Sequence, residues 1–337
     1  MLNILIDMPV FAPHFDTLQS MQDVQVKIVE KPEEKLRLLP KELIEDCDIL
    51  LCTFPPENHE QMKRLKMIQI SSAGYKQLIG QKLEERNIKA CNALGVFDVP
   101  IGEWNMAMMV NLARDMRSLI RNQDEQVWDR DARFQKEISG SVAGIWGYGG
   151  IGRETARLAK ALNMKVHVLS RSGVKPRVNI YCVSGTGDPD GTLPDRVFLM
   201  EEKEEFLKGL NFLIMAIPQT GSTEGIVGEA ELKMLGPYAY LLNPARGLLI
   251  KEQALIRALT EGWIAGAALD THYYYPMPPG HPLWKMPNVI LTPHISGSSA
   301  SPHFLERVWD IFIQNVQRFQ NGEALLNELT ASELRGE

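Results

Sequence analysis

Cysteine is scarce: Cys47, Cys52, Cys91 and Cys182 are the only four in 337 residues, and none belongs to a Cys-x-x-Cys pair. So few thiols in so long a chain exclude a disulfide framework, and a reduced, cytoplasmic protein with no metal site is expected. An excess of one charge is missing too, since 36 Lys and Arg stand against 42 Asp and Glu for a formal net charge of −6. A mildly acidic chain with scattered basic residues has no broad footprint for polyphosphate or an anionic bilayer, so neither nucleic acid nor membrane is expected as a partner. The densest basic run, Lys63, Arg64 and Lys66, reads as a solvated face. No apolar run is long enough to span a membrane. The stretch from Met1 to Met8 carries Asp7 and no basic leader, so it reads as a first strand rather than a signal peptide. Repeats and low-complexity tails are absent as well.

What is present is a globular composition, 45% apolar and 23% charged. The length exceeds the roughly 250–300 residues at which one core stops growing, so two domains are expected. Short apolar runs alternate with helical patterns, the rhythm of α/β units with parallel sheets. Strand-like runs fall at 2–7, 24–29, 49–53 and 67–71 in the first hundred residues, enough for a small open sheet. A second, larger set falls at 142–146, 165–169, 212–217, 240–242, 264–269 and 289–291. Between the two sets, residues 101–122 read as one helix, its first half apolar on nearly every face, which suits a domain bridge or a subunit interface. Its methionines read as packing. Residues 184–195, SGTGDPDGTLPD, have no apolar period and read as a surface loop or hairpin. The closing run 303–319 is spaced as an amphipathic helix that could return to the first domain.

Gly147-Tyr148-Gly149-Gly150-Ile151-Gly152 fits GxGxxG, with a strand-like VAGIW before it and a helical RETARLAKAL after it. In that setting the first glycine permits a tight turn and the second lets backbone approach a pyrophosphate. The third lets helix pack on strand, and the helix N-terminus with Ile151 faces the phosphates. An NAD-binding unit places a carboxylate about 20 residues beyond these glycines, on the ribose 2′-hydroxyl. Here the strand ends in Ser170 and Arg171. Without the carboxylate nothing repels a 2′-phosphate, and Arg171 can pair with one, so NADP(H) is preferred and NAD(H) stays possible.

Three more segments fall at the ends of later strands, where an open α/β sheet places its ligand crevice: Asn243 to Gly247, Ala268 to Asp270, and Thr292 to Gly297. With the glycine loop, AIPQT at 216–220 and HPLW at 281–284, they occur in the order and close to the spacing of the D-isomer-specific 2-hydroxyacid dehydrogenase family, which this chain resembles over most of its length. The loop 71–75, SSAGY, is similar to that family's substrate-carboxylate loop. The resemblance implies two similar open parallel-sheet α/β domains. One is a flavodoxin-like substrate domain formed by 1–99 and 295–337, the other a Rossmann cofactor domain at 100–294. It also implies a homodimer and a short 2-oxo or D-2-hydroxy acid as the small-molecule partner. Arg246 would hold both substrate oxygens and polarise the carbonyl, the backbone N–H groups of Ala73 and Gly74 would share the carboxylate, and His294 would be the general acid. Pro218 and Asp270 would line the cofactor, Asp270 orienting the nicotinamide carboxamide.

Two positions depart from the family pattern. Tyr275 stands where a glutamate usually pairs with the catalytic histidine, and a phenol can hydrogen-bond imidazole but brings no negative charge. His272 could substitute as a partner, although a packed loop residue is the expected role. Gly150 replaces a polar or basic residue common in the family loop, a smaller departure that removes one possible phosphate contact. Two readings follow: a reductase similar to glyoxylate and hydroxypyruvate reductases, or a weakly active or inactive nucleotide-sensing dimer, similar to C-terminal-binding corepressors. Retention of both Arg246 and His294 favours the enzyme.

Overall fold

Strands that are apolar at consecutive positions are stable only when both faces are covered, as parallel sheets between helices require. The computed structural model describes residues 1–336, which divide into two compact units, each with one such sheet. The smaller unit contains Met1–Val96, Val178–Val183 and the chain from Ser299 onward; the larger contains Phe97–Arg177 and Ser184–Ser298.

The smaller unit's strands are β1 (Leu2–Asp7), β2 (Val24–Ile28), β3 (Ile49–Cys52), β4 (Met67–Ile70) and β5 (Lys89–Cys91), all parallel in the order β2-β1-β3-β4-β5. The larger unit's strands are β6 (Val142–Trp146), β7 (Lys165–Leu169), β8 (Arg196–Phe198), β9 (Phe212–Met215), β10 (Tyr240–Asn243), β11 (Gly266–Leu269) and β12 (Val289–Leu291). Their order, β8-β7-β6-β9-β10-β11-β12, is parallel throughout and reverses direction of growth between β6 and β9. That is the doubly wound Rossmann arrangement, whose switch point lies at the carboxyl ends of β6 and β9. The helices are α1 (Ala12–Ser20), α2 (Lys41–Ile44), α3 (Asp98–Ala113), α4 (Met116–Asp124), α5 (Gly150–Ala161), α6 (Lys203–Leu207), α7 (Glu229–Leu235), α8 (Glu252–Thr260), α9 (Pro302–Asn321) and α10 (Ala331–Arg335).

Several expectations need correction. The helix expected over 101–122 is two, because Asp115 turns left-handed at φ 46° and its carboxylate accepts the Ser118 N–H (3.4 Å) to start α4. β5 and β8 have three residues each, too short to leave a periodic signature. Of the two forms expected for residues 184–195, a surface loop or a hairpin, the chain takes the irregular loop. The basic run is exposed as expected, and two of its members also pair with a buried acid: Arg64 (3.1 Å) and Lys66 (3.0 Å) with Asp48, which is fully buried. The unit boundaries fall a few residues from 99 and 295, and Val178–Val183 belongs to the smaller unit. There the Asn327 N–H donates to the Asn179 carbonyl (2.9 Å), the Tyr181 N–H to Asn327 Oδ1 (3.0 Å), and the Tyr181 hydroxyl to Asp310 (2.9 Å). The closing helix, α9, packs against α1 in this unit. No helix among the described residues is long and apolar enough to cross a membrane.

Candidate active site

The turn after β6 is shaped by its glycines. Gly147 has φ +99° and would bring a Cβ within 2.5 Å of the Ala216 carbonyl oxygen, so the end of β6 meets the end of β9 only without a side chain. A Cβ at Gly152 would lie 2.4 Å from the Gly147 carbonyl oxygen, which is the close helix-to-strand approach the motif demands. Gly149, the cap of α5, would meet nothing within 4 Å. Its backbone is therefore open at the N-terminus of a twelve-residue helix, where N–H groups and the helix dipole favour an anion. The residues fit the pyrophosphate of a nicotinamide dinucleotide. Gly150 has a different reason to be glycine: a Cβ there would overlap the Asp98 carboxylate, which lies against it from the first turn of α3. The space a side chain at position 150 would need is thus filled by an acid that the sequence did not single out.

At the tip of β7 the Ser170 hydroxyl donates to the Gly173 carbonyl (2.9 Å) and closes a turn that leaves Arg171 exposed. Pro218 is exposed beyond β9, and its carbonyl accepts the Thr223 hydroxyl (2.7 Å).

Asn243, Leu269 and Leu291 are register partners at the ends of β10, β11 and β12, so the segments that follow them emerge side by side. After β10, Asn243 draws the chain back on itself: its Oδ1 accepts the N–H of Ala245 (3.1 Å) and Arg246 (3.3 Å), and its Nδ2 donates to the Arg246 carbonyl (2.8 Å). The turn presents the Arg246 side chain to solvent, its Nη1 donating to the Ala245 carbonyl (2.6 Å). A Cβ at Gly247 would lie 2.4 Å from the His272 carbonyl oxygen, which fixes the spacing of this turn from the segment after β11.

Asp270 is fully buried, and its carboxylate is engaged by the loop after β12. It accepts the Thr292 hydroxyl (2.5 Å), the Ile295 N–H (3.0 Å), and the Ser296 N–H (3.0 Å) and hydroxyl (2.5 Å). These bonds bracket His294, which is held at φ +56°, an uncommon backbone for a non-glycine residue. Its ring is exposed, and its pKa is lowered by partial desolvation, with Asp270 opposing and the Arg246 and His272 charges adding to the fall.

Tyr275 and His294 are ring neighbours, 5.6 Å between centroids, but the phenol oxygen accepts the His272 backbone N–H (3.2 Å) rather than engaging the imidazole. Among the described residues nothing hydrogen-bonds the His294 ring. His272 is buried: its Nε2 donates to the Thr292 carbonyl (2.8 Å), and its Nδ1 has no hydrogen-bond partner among the described residues. One edge of the larger unit thus gathers Arg246, Asp270, Tyr275 and His294. In the smaller unit, the loop after β4 carries Ala73, whose carbonyl accepts Asn92 Nδ2 (2.9 Å), and exposed Gly74, whose carbonyl accepts the Ser72 hydroxyl (2.7 Å).

Fold and site define an α/β protein with a Rossmann-type, nicotinamide-binding domain. Residues 106–296 match the family model described as D-isomer specific 2-hydroxyacid dehydrogenase, NAD binding domain. A glyoxylate reductase of Thermofilum pendens is 29% identical over 296 residues, 85% of this chain and 83% of that protein. The NAD-complexed D-isomer specific 2-hydroxyacid dehydrogenase of Lactobacillus delbrueckii ssp. bulgaricus superposes with a TM-score of 0.76 at 21% identity, covering 98% of this chain and 100% of that one. A family member from Xanthobacter autotrophicus Py2, in complex with NADPH and MES, gives 0.70 at 20% identity, covering 98% and 99%. The chain belongs to the D-isomer specific 2-hydroxyacid dehydrogenase family.

Proposed function

We propose that this protein is a homodimeric reductase of a short 2-oxo acid of the glyoxylate or hydroxypyruvate class, with NADP(H) preferred over NAD(H). The observation that carries the reading is the buried Asp270, whose carboxylate fixes the loop bearing His294 at the same sheet edge as the Arg246 turn. The similarity to glyoxylate reductases supports the substrate class, and the Ser170-Arg171 turn supports the cofactor. The exposed Ile120, Val127 and Trp128 support the dimer.

A reduced nicotinamide, when bound, supplies a hydride to C2 of the keto acid. Arg246 presents its donor fork to the carboxylate and carbonyl oxygens and stabilises the negative charge that grows on the latter. Protonated His294 delivers its proton to that oxygen, so the carbonyl becomes a hydroxyl and the imidazole is left neutral; in the reverse direction the neutral ring removes the proton. Asp270 acts in this reading by positioning the His294 loop, its oxygens being engaged there rather than turned to a carboxamide. Ala73 and Gly74 are kept as N–H donors for a substrate carboxylate, and the smaller unit is assigned as the substrate domain.

The test is turnover across a panel of 2-oxo and D-2-hydroxy acids with both cofactors, for wild type, Arg246→Ala and His294→Ala. Each variant is expected to lose about 10²- to 10⁴-fold in kcat/KM while still binding nucleotide. Tight nucleotide binding with no turnover on any acid would instead establish the sensing dimer, which draws on the Tyr275 hydroxyl being taken by His272.

A further inference from the structure

The connection from β7 to β8 runs from residue 170 to residue 195, long for an α/β crossover, and its two flanks in the larger unit are fixed to the glycine loop and α5. They meet each other: the Arg177 N–H donates to the Pro189 carbonyl (2.9 Å), and a Cβ at Gly191 would lie 2.6 Å from Val174 Cγ1. Arg153 of α5, 4% exposed, fills the space between them. Its guanidinium donates to the Lys175 carbonyl (2.5 Å) on one flank, to the Asp188 carbonyl on the other and to the Tyr148 carbonyl (3.2 Å) beneath, and it stacks 4.9 Å over the Tyr148 ring. The next residue, Glu154, accepts the Gly187 N–H (2.6 Å). The Tyr148 hydroxyl donates to the Asp188 carboxylate (2.7 Å), which also accepts the N–H groups of Thr192 (3.0 Å) and Leu193 (3.1 Å).

Asp188 is 5% exposed in a loop otherwise rich in glycine, proline and solvent-facing polar residues. Burial alone would raise its pKa, but the Tyr148 hydroxyl, the two N–H groups and Arg153 hold it below the usual carboxylate range. A charged acceptor with three donors is a strong anchor. It also ties the far flank to the residue between the first two glycines of the loop.

The near flank carries the Ser170 to Lys175 turn, closed by the Ser170 hydroxyl at one end and held through the Lys175 carbonyl at the other. A turn fixed before binding spares the nucleotide the cost of ordering Arg171 and its neighbours. We propose that Tyr148, Arg153 and Asp188 are positioning residues for nucleotide selectivity: by locking this connection to the glycine loop they set the place of the Ser170–Lys175 turn, and with it the discrimination in favour of a 2′-phosphorylated adenosine. The inference rests on the reading of Arg171 as the 2′-phosphate partner.

The probes are adenosine 2′,5′-bisphosphate and adenosine 5′-monophosphate, which differ only in the 2′-phosphate, titrated by calorimetry into the full-length wild type, Arg171→Ala, Tyr148→Phe and Asp188→Asn. Wild type is expected to prefer the bisphosphate and Arg171→Ala to lose the preference. Tyr148→Phe and Asp188→Asn are each expected to weaken the bisphosphate about 5- to 10-fold and the monophosphate by less than about twofold. Absence of a wild-type preference overturns the cofactor reading together with this inference. A preference lost in Arg171→Ala but unchanged in both other variants overturns the positioning role alone, as does equal weakening of both probes. Two variants guard against one failing to fold, since Asp188→Asn keeps the shape of the side chain.

Discussion

In the proposed reaction His294 supplies the proton for reduction, so the sign of its pKa shift sets the pH dependence expected of that reaction. Partial desolvation lowers that pKa, Asp270 opposes, and Arg246 and His272 add to the fall. The acid is therefore expected to be lost below the ordinary histidine value of about 6.5, and kcat/KM for the keto acid should be highest at acid pH and already decline before that point. Tyr275→Glu would place a carboxylate near the ring, favour imidazolium and move the limb upward. The check is a pH profile of kcat/KM at saturating cofactor; a wild-type plateau reaching alkaline pH would contradict the assignment of His294. The glycines of the loop separate in another measurement. Gly150→Ala must displace the Asp98 carboxylate, an overpacking that costs about 1–3 kcal/mol and should lower Tm. Gly149→Ala meets no atom within 4 Å and should leave Tm nearly unchanged while weakening nucleotide binding, because in the proposed cofactor site its methyl group would enter the space the pyrophosphate takes.

At the level of elements, the loop after β12 owes its shape to a side chain from the end of β11. Removing the Asp270 carboxylate leaves the buried Ser296 N–H and hydroxyl, the Ile295 N–H and the Thr292 hydroxyl without their acceptor. Hydrogen bonds to a charged group contribute about 1.5–3 kcal/mol each, so Asp270→Ala is expected to lower Tm by several degrees and to cut kcat through misplacement of His294. Thermal melts read beside single-turnover rates check both. If turnover falls with Tm unchanged, Asp270 acts on the cofactor instead, as the sequence pattern had suggested. What the sequence disclosed at this scale follows from range. The glycine loop and the three strand-end motifs are local patterns on consecutive residues, and their register at one sheet edge follows from parallel strands. Asp98 against Gly150, Tyr148 on Asp188 and the Arg153 bonds join residues far apart in the chain, and no periodicity marks them. The left-handed turn at Asp115 was missed because the apolar pattern continues across it, and three-residue strands such as β8 are shorter than any period that could announce them.

At the scale of the whole molecule, the open question is what meets the surface of α3 and α4. The sequence makes α3 apolar almost all round; the larger unit buries Ile101, Met106, Met109 and Leu112, but Val110 remains exposed. Along α4 and the segment after it, Ile120 is 54% exposed and Trp128 90%. An isolated exposed leucine or valine needs no explanation, but an indole left almost wholly in water close to other apolar side chains marks a surface built to be covered. A second copy of the chain is the proposed cover, and an isologous interface would bring the same residues from both subunits together. Light scattering after size exclusion should give the mass of two chains for wild type. Replacing Ile120 and Trp128 together by glutamate should give the mass of one, because like charges would then face each other across a desolvated surface. Neither residue supports the core of its own unit, so circular dichroism should remain that of a folded α/β protein. A wild type that is already monomeric at micromolar concentration, or a double variant that still dimerises, would move the interface elsewhere and leave Trp128 without a partner.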